Sequence, residues 1–277
     1  MYLWEENPVC SMVSLLAYDE YFPAEAGPSV VLLHGFGETR AIWKDFAPAL
    51  AQRFRVLSLD LPGFGGSRDF LPNPCTIEAL AARVLALLDH LHLSQYLLVG
   101  HSLGGYVALA LAEARPQAVL GLSLFHSTAR PAVLKKKKSR ENVLTFIDKN
   151  GLAPFIDNFV PPLFYEARQA ELHQAIQTVK ILALSTPKTT FTEVMQAMRD
   201  RPDRSHVLAQ ANFPIQFVIG RQDTSVPFES YADQIILPKN ADIQVLDQTG
   251  HMGQYERPRR TLRMLQNFLK NSADILP

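Results

Sequence analysis

The chain predicts an α/β fold: a mostly parallel sheet with helices on both faces, interrupted by a helical insertion. Short apolar runs rich in Val, Ile and Leu alternate with longer segments whose apolar residues recur at helical spacing. The runs are continuous rather than alternating, as in strands buried on both faces of a parallel sheet. With 277 residues, 47% of them hydrophobic, the chain can bury a large core, either as one domain or as a core plus an insertion.

Taken in order, residues 14–18 (SLLAY) read as an edge strand and 29–33 (SVVLL) as an internal one. Ile42, Trp43, Phe46, Leu50 and Phe54 mark helical spacing over 39–54, after which 55–59 (RVLSL) returns to a strand. Thr76, just after Pro74, suits an N-cap, and Ile77, Leu80, Val84, Leu87, Leu88 and Leu91 then form one helical face. A strand at 96–99 leads into a helix over 103–114 that stops before Pro116, and 118–125 is again a buried-strand run. These are successive β-α repeats. The rhythm breaks over 128–210, which holds the run Lys135-Lys-Lys-Lys138, Pro161-Pro162 and amphipathic pieces at 141–150 and 166–184. It resumes at 215–219, continues through 228–237 and 243–246, and closes with a helix over 258–271, where Pro258 suits the first position. The expected organisation is a core of residues 1–127 and 211–277, with a helical insertion of 128–210 packed on it.

Charge narrows the function classes. Lys plus Arg equals Asp plus Glu at 27 each, so no global field draws nucleic acid or an anionic membrane. No apolar run reaches the ~18 residues of a membrane span. The opening MYLWEENPVC lacks the basic and then apolar pattern of a secretory leader. Only Cys10 and Cys75 are present, too few for a disulfide framework and without zinc-ligand spacing, so a cytoplasmic setting is expected.

The chemistry concentrates in GHSLGG, residues 100–105, at the seam between a strand and a helix. Gly100-His101-Ser102-Leu103-Gly104 fits G-x-S-x-G, in which a serine on a sharp turn is exposed above the sheet edge. The following helix directs its unpaired N–H groups toward the place where an oxyanion would form. A capping serine in a glycine-rich helix entry is the plainer alternative. A serine nucleophile needs a base, and the base an orienting acid. Of the histidines at 34, 90, 92, 101, 126, 173, 206 and 251, His251 stands in a loop between the last strand and the last helix and is the candidate base. Asp223, in Gly220-Arg-Gln-Asp-Thr-Ser-Val-Pro227, follows a strand and reaches the same sheet edge, although it could also open a turn there. Asp60 leads into the turn-rich LPGFGGS and is expected to brace backbone, and Asp247 lies too close to His251 in sequence. Phe36, in His34-Gly35-Phe36-Gly37, can supply one oxyanion N–H and Leu103 the other, with His34 and His101 as supporting residues.

With HGFG at 34–37, DLPGFGGS at 60–67, GHSLGG at 100–105, GRQD at 220–223 and GH at 250–251, the chain resembles the α/β-hydrolase family over most of its length. The resemblance implies a Ser-Asp-His member with a helical cap between the sixth and seventh strands, similar to small carboxylesterases, carbon–carbon bond hydrolases of ring-cleavage dienoates, and cofactor-free perhydrolases. Serine at 102 departs from the epoxide hydrolases and haloalkane dehalogenases, which carry an aspartate nucleophile. The implied reaction is acyl transfer through an acyl-enzyme on a small to medium ester, with a small-molecule substrate and neither metal nor organic cofactor. Thioester or dienoate cleavage are alternatives, as is a ligand receptor on a hydrolase scaffold. Phe155, Phe159, Phe164, Tyr165 and Phe191 either line a pocket or form the insertion's own core. Lys135 to Lys138 and Arg140 either meet an anion or form a solvated helix face.

Overall fold

The computed structural model describes residues 15–22 and 28–274. Within them one sheet is formed by β1 (Tyr18–Tyr21), β2 (Ser29–Leu33), β3 (Arg55–Leu59), β4 (Tyr96–His101), β5 (Val119–Phe125), β6 (Ile215–Gly220) and β7 (Ala241–Leu246). Their order is β1-β3-β2-β4-β5-β6-β7, and every neighbouring pair is parallel except β1 with β3. The continuous apolar runs become the inner strands, which are almost wholly buried, while β1 and β7 at the edges are half-exposed.

The helices of the β-α repeats are α1 (Ala47–Leu50), α2 (Ile77–His90) and α3 (Leu103–Ala114). Between β5 and β6 come α4 (Leu134–Asn150), α5 (Leu152–Phe159), α6 (His173–Leu184), α7 (Lys188–Asp200) and α8 (Ser205–Gln210). The chain closes with α9 (Gly253–Glu256) and α10 (Pro258–Ala273). Strand pleating splits the core into two layers. Val31, Leu33, Leu57, Leu59 and Leu98 pack with α2 and α3, and Val30, Leu32, Val56, Leu97 and Val99 pack with Trp43, Leu50 and Leu265 on the other face. Thr76 caps α2 by accepting from the Ala79 N–H at 3.1 Å. No helix among the described residues is long and apolar enough to cross a membrane.

Three expectations change. The single helix expected over 39–54 is a 3-10 turn, Arg40–Trp43, followed by the short α1. Pro48 sits in the first turn of α1, where a missing N–H is tolerated, and would have broken a continuous helix. The edge strand lies at Tyr18–Tyr21 rather than 14–18, with Ser14 outside the described residues; its charged side chains are paired, Asp19 with Arg40 at 2.9 Å and Glu20 with Arg55 at 2.5 Å. Residues 228–237 form only a 3-10 turn, Phe228–Tyr231, and further turns. There Gln234 Nε2 donates to the Ser230 carbonyl at 2.5 Å, taking an acceptor that a helix would need, while its Oε1 ties down Thr128 and Ala129 at 2.8 Å each. The helices α4 to α8 follow the fifth described strand, and α4 takes in the whole lysine run.

The first turn of α3 packs backbone to backbone against the end of β2. A Cβ at Gly104 would lie 2.5 Å from the Leu33 carbonyl oxygen and 2.8 Å from that of His34. Because only backbone could yield, Gly104→Ala is expected to lower the free energy of unfolding by about 3 kcal/mol, read from urea unfolding. A change below about 0.5 kcal/mol would contradict so close a contact.

Candidate active site

Ser102 is the single residue between β4 and α3, and the reversal forces it to φ 49°, ψ −110°. A non-glycine residue there carries strain of about 1–3 kcal/mol, which surrounding contacts must offset. They do so through its main chain. Its N–H donates to the Phe125 carbonyl at 3.0 Å, and its carbonyl accepts from the Gly105 N–H at 3.0 Å and the Ser127 hydroxyl at 2.7 Å. The hydroxyl is thus left out of the turn's own bonding and faces a cavity of about 200 Å³ that His251, His101, Phe36 and Tyr106 also line. Leu103 is the first residue of α3, so its N–H has no partner within the helix.

Asp223 and His251 come from the loops after β6 and β7. The buried His251 ring meets Asp223 Oδ2 through Nδ1 at 2.7 Å. The other carboxylate oxygen, Oδ1, accepts from the N–H groups of Ser225 at 2.7 Å and Val226 at 2.9 Å. Burial pushes the Asp223 carboxyl up, but the facing His251 and His126 rings outweigh it and hold it well below the usual carboxylate range. The ionised Asp223 accepts a hydrogen bond from the Nδ1–H of His251, which fixes the ring proton on Nδ1 and leaves Nε2 unprotonated. The described residues form no direct hydrogen bond between Ser102 Oγ and this ring; the two groups share the cavity wall, a separation that substrate can close. His251 is anchored through its own N–H, which donates to the Leu163 carbonyl at 2.7 Å. Glu256 holds the flanking residues, accepting from Gly250 N–H at 2.9 Å and Met252 N–H at 3.2 Å.

Two supports had no clear sequence signal. Glu38 is buried and bonds His101 Nδ1 at 2.9 Å, while His101 Nε2 meets the His251 carbonyl at 3.0 Å. Both ring nitrogens therefore face acceptors, an arrangement that only the doubly protonated ring satisfies. Burial disfavours that charge, yet the Glu38 carboxylate outweighs burial and raises the His101 pKa. The result is a buried ion pair behind His251. His126, at the end of β5, is the second. It is fully buried, its φ is 50°, and its Nδ1 lies 3.6 Å from Asp223 Oδ2, with neither ring nitrogen making a hydrogen bond.

Burial pushes the His126 pKa down to about 4, against a modest upward pull from Asp223. A group depressed in the fold contributes stability that is present above its unfolded pKa of about 6.5 and lost as pH falls toward about 4. His126→Asn keeps a residue tolerant of positive φ. The stability gap between wild type and this variant is expected to shift against wild type by about 3 kcal/mol between pH 7 and pH 4, measured by urea unfolding at both pH values. A gap independent of pH would refute a neutral buried ring.

The other sequence candidates fall into supporting places. His34 Nδ1 meets the Gly35 carbonyl at 2.8 Å and its Nε2 accepts from the Leu61 N–H at 2.9 Å, so it braces the loop carrying Phe36. Asp60 braces backbone as expected, accepting from the N–H groups of Arg40 and Gly66 at 2.8 Å each. Asp247 is exposed and accepts from Gln222 Nε2 at 3.3 Å, with Arg221 at 3.5 Å, rather than meeting His251. Among the described residues, the group with metal-ligand types and spacing is His126, Asp223 and His251, and two of its ligand atoms are already joined by the 2.7 Å hydrogen bond.

A parallel sheet wrapped by helices, with a strained serine at the end of a central strand and an Asp–His pair on later loops of the same edge, defines a class of hydrolytic enzymes. The chain belongs to the alpha/beta hydrolase family, whose profile matches residues 30–264. It is 32% identical over 254 residues to the dihydrolipoyllysine-residue acetyltransferase component of the acetoin cleaving system of Pseudomonas putida, covering 89% of this chain. It spans only 64% of that relative's length. It is 29% identical over 259 residues to 2-hydroxy-6-oxononadienedioate/2-hydroxy-6-oxononatrienedioate hydrolase 2 of Pseudomonas putida, covering 89% of each chain. Among solved structures, a thermophilic esterase from Thermogutta terrifontis superimposes with a TM-score of 0.86 at 28% identity, covering 93% of this chain and 94% of the other.

Proposed function

We propose that the protein is a serine hydrolase that cleaves a small to medium carboxylic ester, with Ser102 as nucleophile, His251 as base and Asp223 as its orienting acid. The observation that carries this reading is the buried 2.7 Å contact between His251 Nδ1 and Asp223, set in the wall of the cavity that Ser102 opens into. Ser102 Oγ attacks the ester carbonyl carbon as its proton passes to His251 Nε2. The N–H groups of Phe36 and Leu103 take up the charge on the carbonyl oxygen. His251 then returns the proton to the departing alkoxide, and a water activated by the same ring attacks the acyl-enzyme to release the acid and restore Ser102. The helical segment of residues 128–210 acts as a cap, closing the cavity with Arg140, Val143, Phe155, Phe159 and Met198. A second, neighbouring hollow, shared with the first through Phe155, Phe159 and Leu163, gives an apolar approach.

Hydrolysis of a dienedioate is the second reading, favoured by the name of the 29% identical relative. The test is a turnover screen over p-nitrophenyl esters of increasing acyl length, thioesters and a ring-cleavage dienoate, with Ser102→Ala as control. Turnover of one of these classes, absent from the variant, is the expected result. A single stoichiometric burst without turnover would favour a receptor role and overturn the enzymatic reading.

A further inference from the structure

Among the described residues, three cations without a carboxylate in ion-pair contact gather beside the cavity: Arg140 in its wall, and Lys136 and Arg201 behind it, in the wall of a neighbouring hollow. Arg140 of α4 lines the cavity with Tyr106 and Met198. One guanidinium N–H donates to the Met198 carbonyl at 2.8 Å and the Tyr106 hydroxyl lies beside the fork, which leaves further donors of the five for the cavity. Arg201 is buried, with its guanidinium stacked 4.1 Å over the Tyr106 ring, and it donates only to the carbonyls of Met198 and Arg130, at 2.6 and 2.8 Å. Its Nε is buried without a partner. Lys136, one helical turn before Arg140, donates to the Ser225 carbonyl.

Among the described residues, no carboxylate lies within ion-pair distance of Lys136, Arg140 or Arg201. Other nearby arginines differ: Arg130 pairs with Asp203 and Asp233, Arg199 with Asp200, and Arg204 with Glu78 and Glu113. Burial lowers the pKa of both Lys136 and Arg140 and Arg201 adds to the lowering at each, against an upward pull from Tyr106 on both and from Asp223 on Lys136. The cavity's own carboxylate, Glu38, is already taken by His101. A planar, partly desolvated guanidinium with free donors matches a carboxylate better than any neutral group.

We propose that Arg140, backed by Arg201 and Lys136, binds a free carboxylate on the substrate, so that the preferred ester is a half-ester of a short dicarboxylic acid. This rests on the hydrolase reading only for which bond is cut. The anion site stands on its own geometry. The cavity's volume of about 200 Å³ favours a short acyl chain.

Monoethyl adipate and ethyl hexanoate offer the same bond on the same chain length, with and without the distal charge. Wild type is expected to show a kcat/KM at least about tenfold higher for the half-ester. Arg140→Gln should lower half-ester kcat/KM about 10- to 100-fold more than that of the neutral ester, with Arg140→Lys in between. An unchanged ratio of the two substrates in Arg140→Gln overturns the proposal. Calorimetric binding of adipate to Ser102→Ala, with loss of binding on adding Arg140→Gln, tests the site without turnover. Adipate binding with no hydrolysis of either ester would sink the hydrolase reading and keep the anion site. Hydrolysis of ethyl hexanoate with neither preference nor adipate binding would do the reverse.

Discussion

Ser102→Ala is expected to reduce kcat on any ester the protein turns over by as much as about 10⁶-fold, leaving the melting temperature at or slightly above that of wild type. The main chain at this residue is held by Phe125, Gly105 and Ser127, none of which touches the hydroxyl, so its removal leaves the elbow intact. What is lost is the atom that bonds to the acyl group, and oxyanion donors with bound water replace it only weakly. His251→Ala should fall about as far, and the double variant scarcely further, because the two act as one unit. Steady-state assays with active-site titration provide the measurement. A variant retaining even a hundredth of wild-type turnover would remove Ser102 from the chemistry.

Asp223→Asn carries the second largest effect, about 10⁴-fold in kcat, and the reason is directional. Asp223 Oδ1 is fixed by two N–H donors, from Ser225 and Val226. An asparagine must put its carbonyl oxygen there, which turns its amide NH₂ toward His251 Nδ1. A donor at that position forces the ring proton onto Nε2, the nitrogen that has to accept from serine. The variant therefore keeps its shape and loses its base. Asp223→Ala, which imposes no tautomer, is expected to be no worse than Asp223→Asn despite removing more atoms. A drop below about tenfold in Asp223→Asn would show that His251 is oriented by something else.

The strand-to-helix elbow was legible in the sequence because its requirements are local: a glycine before, a glycine after, and a strand and helix at fixed offsets from Ser102. That Asp223 and His251 would meet was legible because each follows a strand, and strands of a parallel sheet deliver their loops to one edge. Glu38 was not, since it meets His101 across 63 residues and nothing in its own surroundings marks the partner. Nor was the neutral state of His126, which depends on complete burial rather than on neighbours in sequence. Composition could not choose between the two readings of the lysine run and Arg140, because the choice depends on which turn of α4 faces the cavity: Lys138 is exposed, whereas Arg140 reaches the cavity wall. Over 39–54 the apolar spacing correctly marked residues that become buried, among them Trp43 and Leu50, while Pro48 decided that no continuous helix would carry them.

The hydrogen bonds joining the helical segment to the two catalytic loops have a practical consequence for redesign. Lys136 donates to the Ser225 carbonyl, Thr224 Oγ1 donates to the Pro162 carbonyl at 3.1 Å, and the His251 N–H donates to the Leu163 carbonyl at 2.7 Å. Each bond uses an atom of a residue within two positions of Asp223 or His251. The segment is therefore not an exchangeable cartridge. Grafting in its counterpart from a relative to change selectivity would also retune reactivity, unless the graft restores a cation opposite residue 225 and acceptors at 162 and 163.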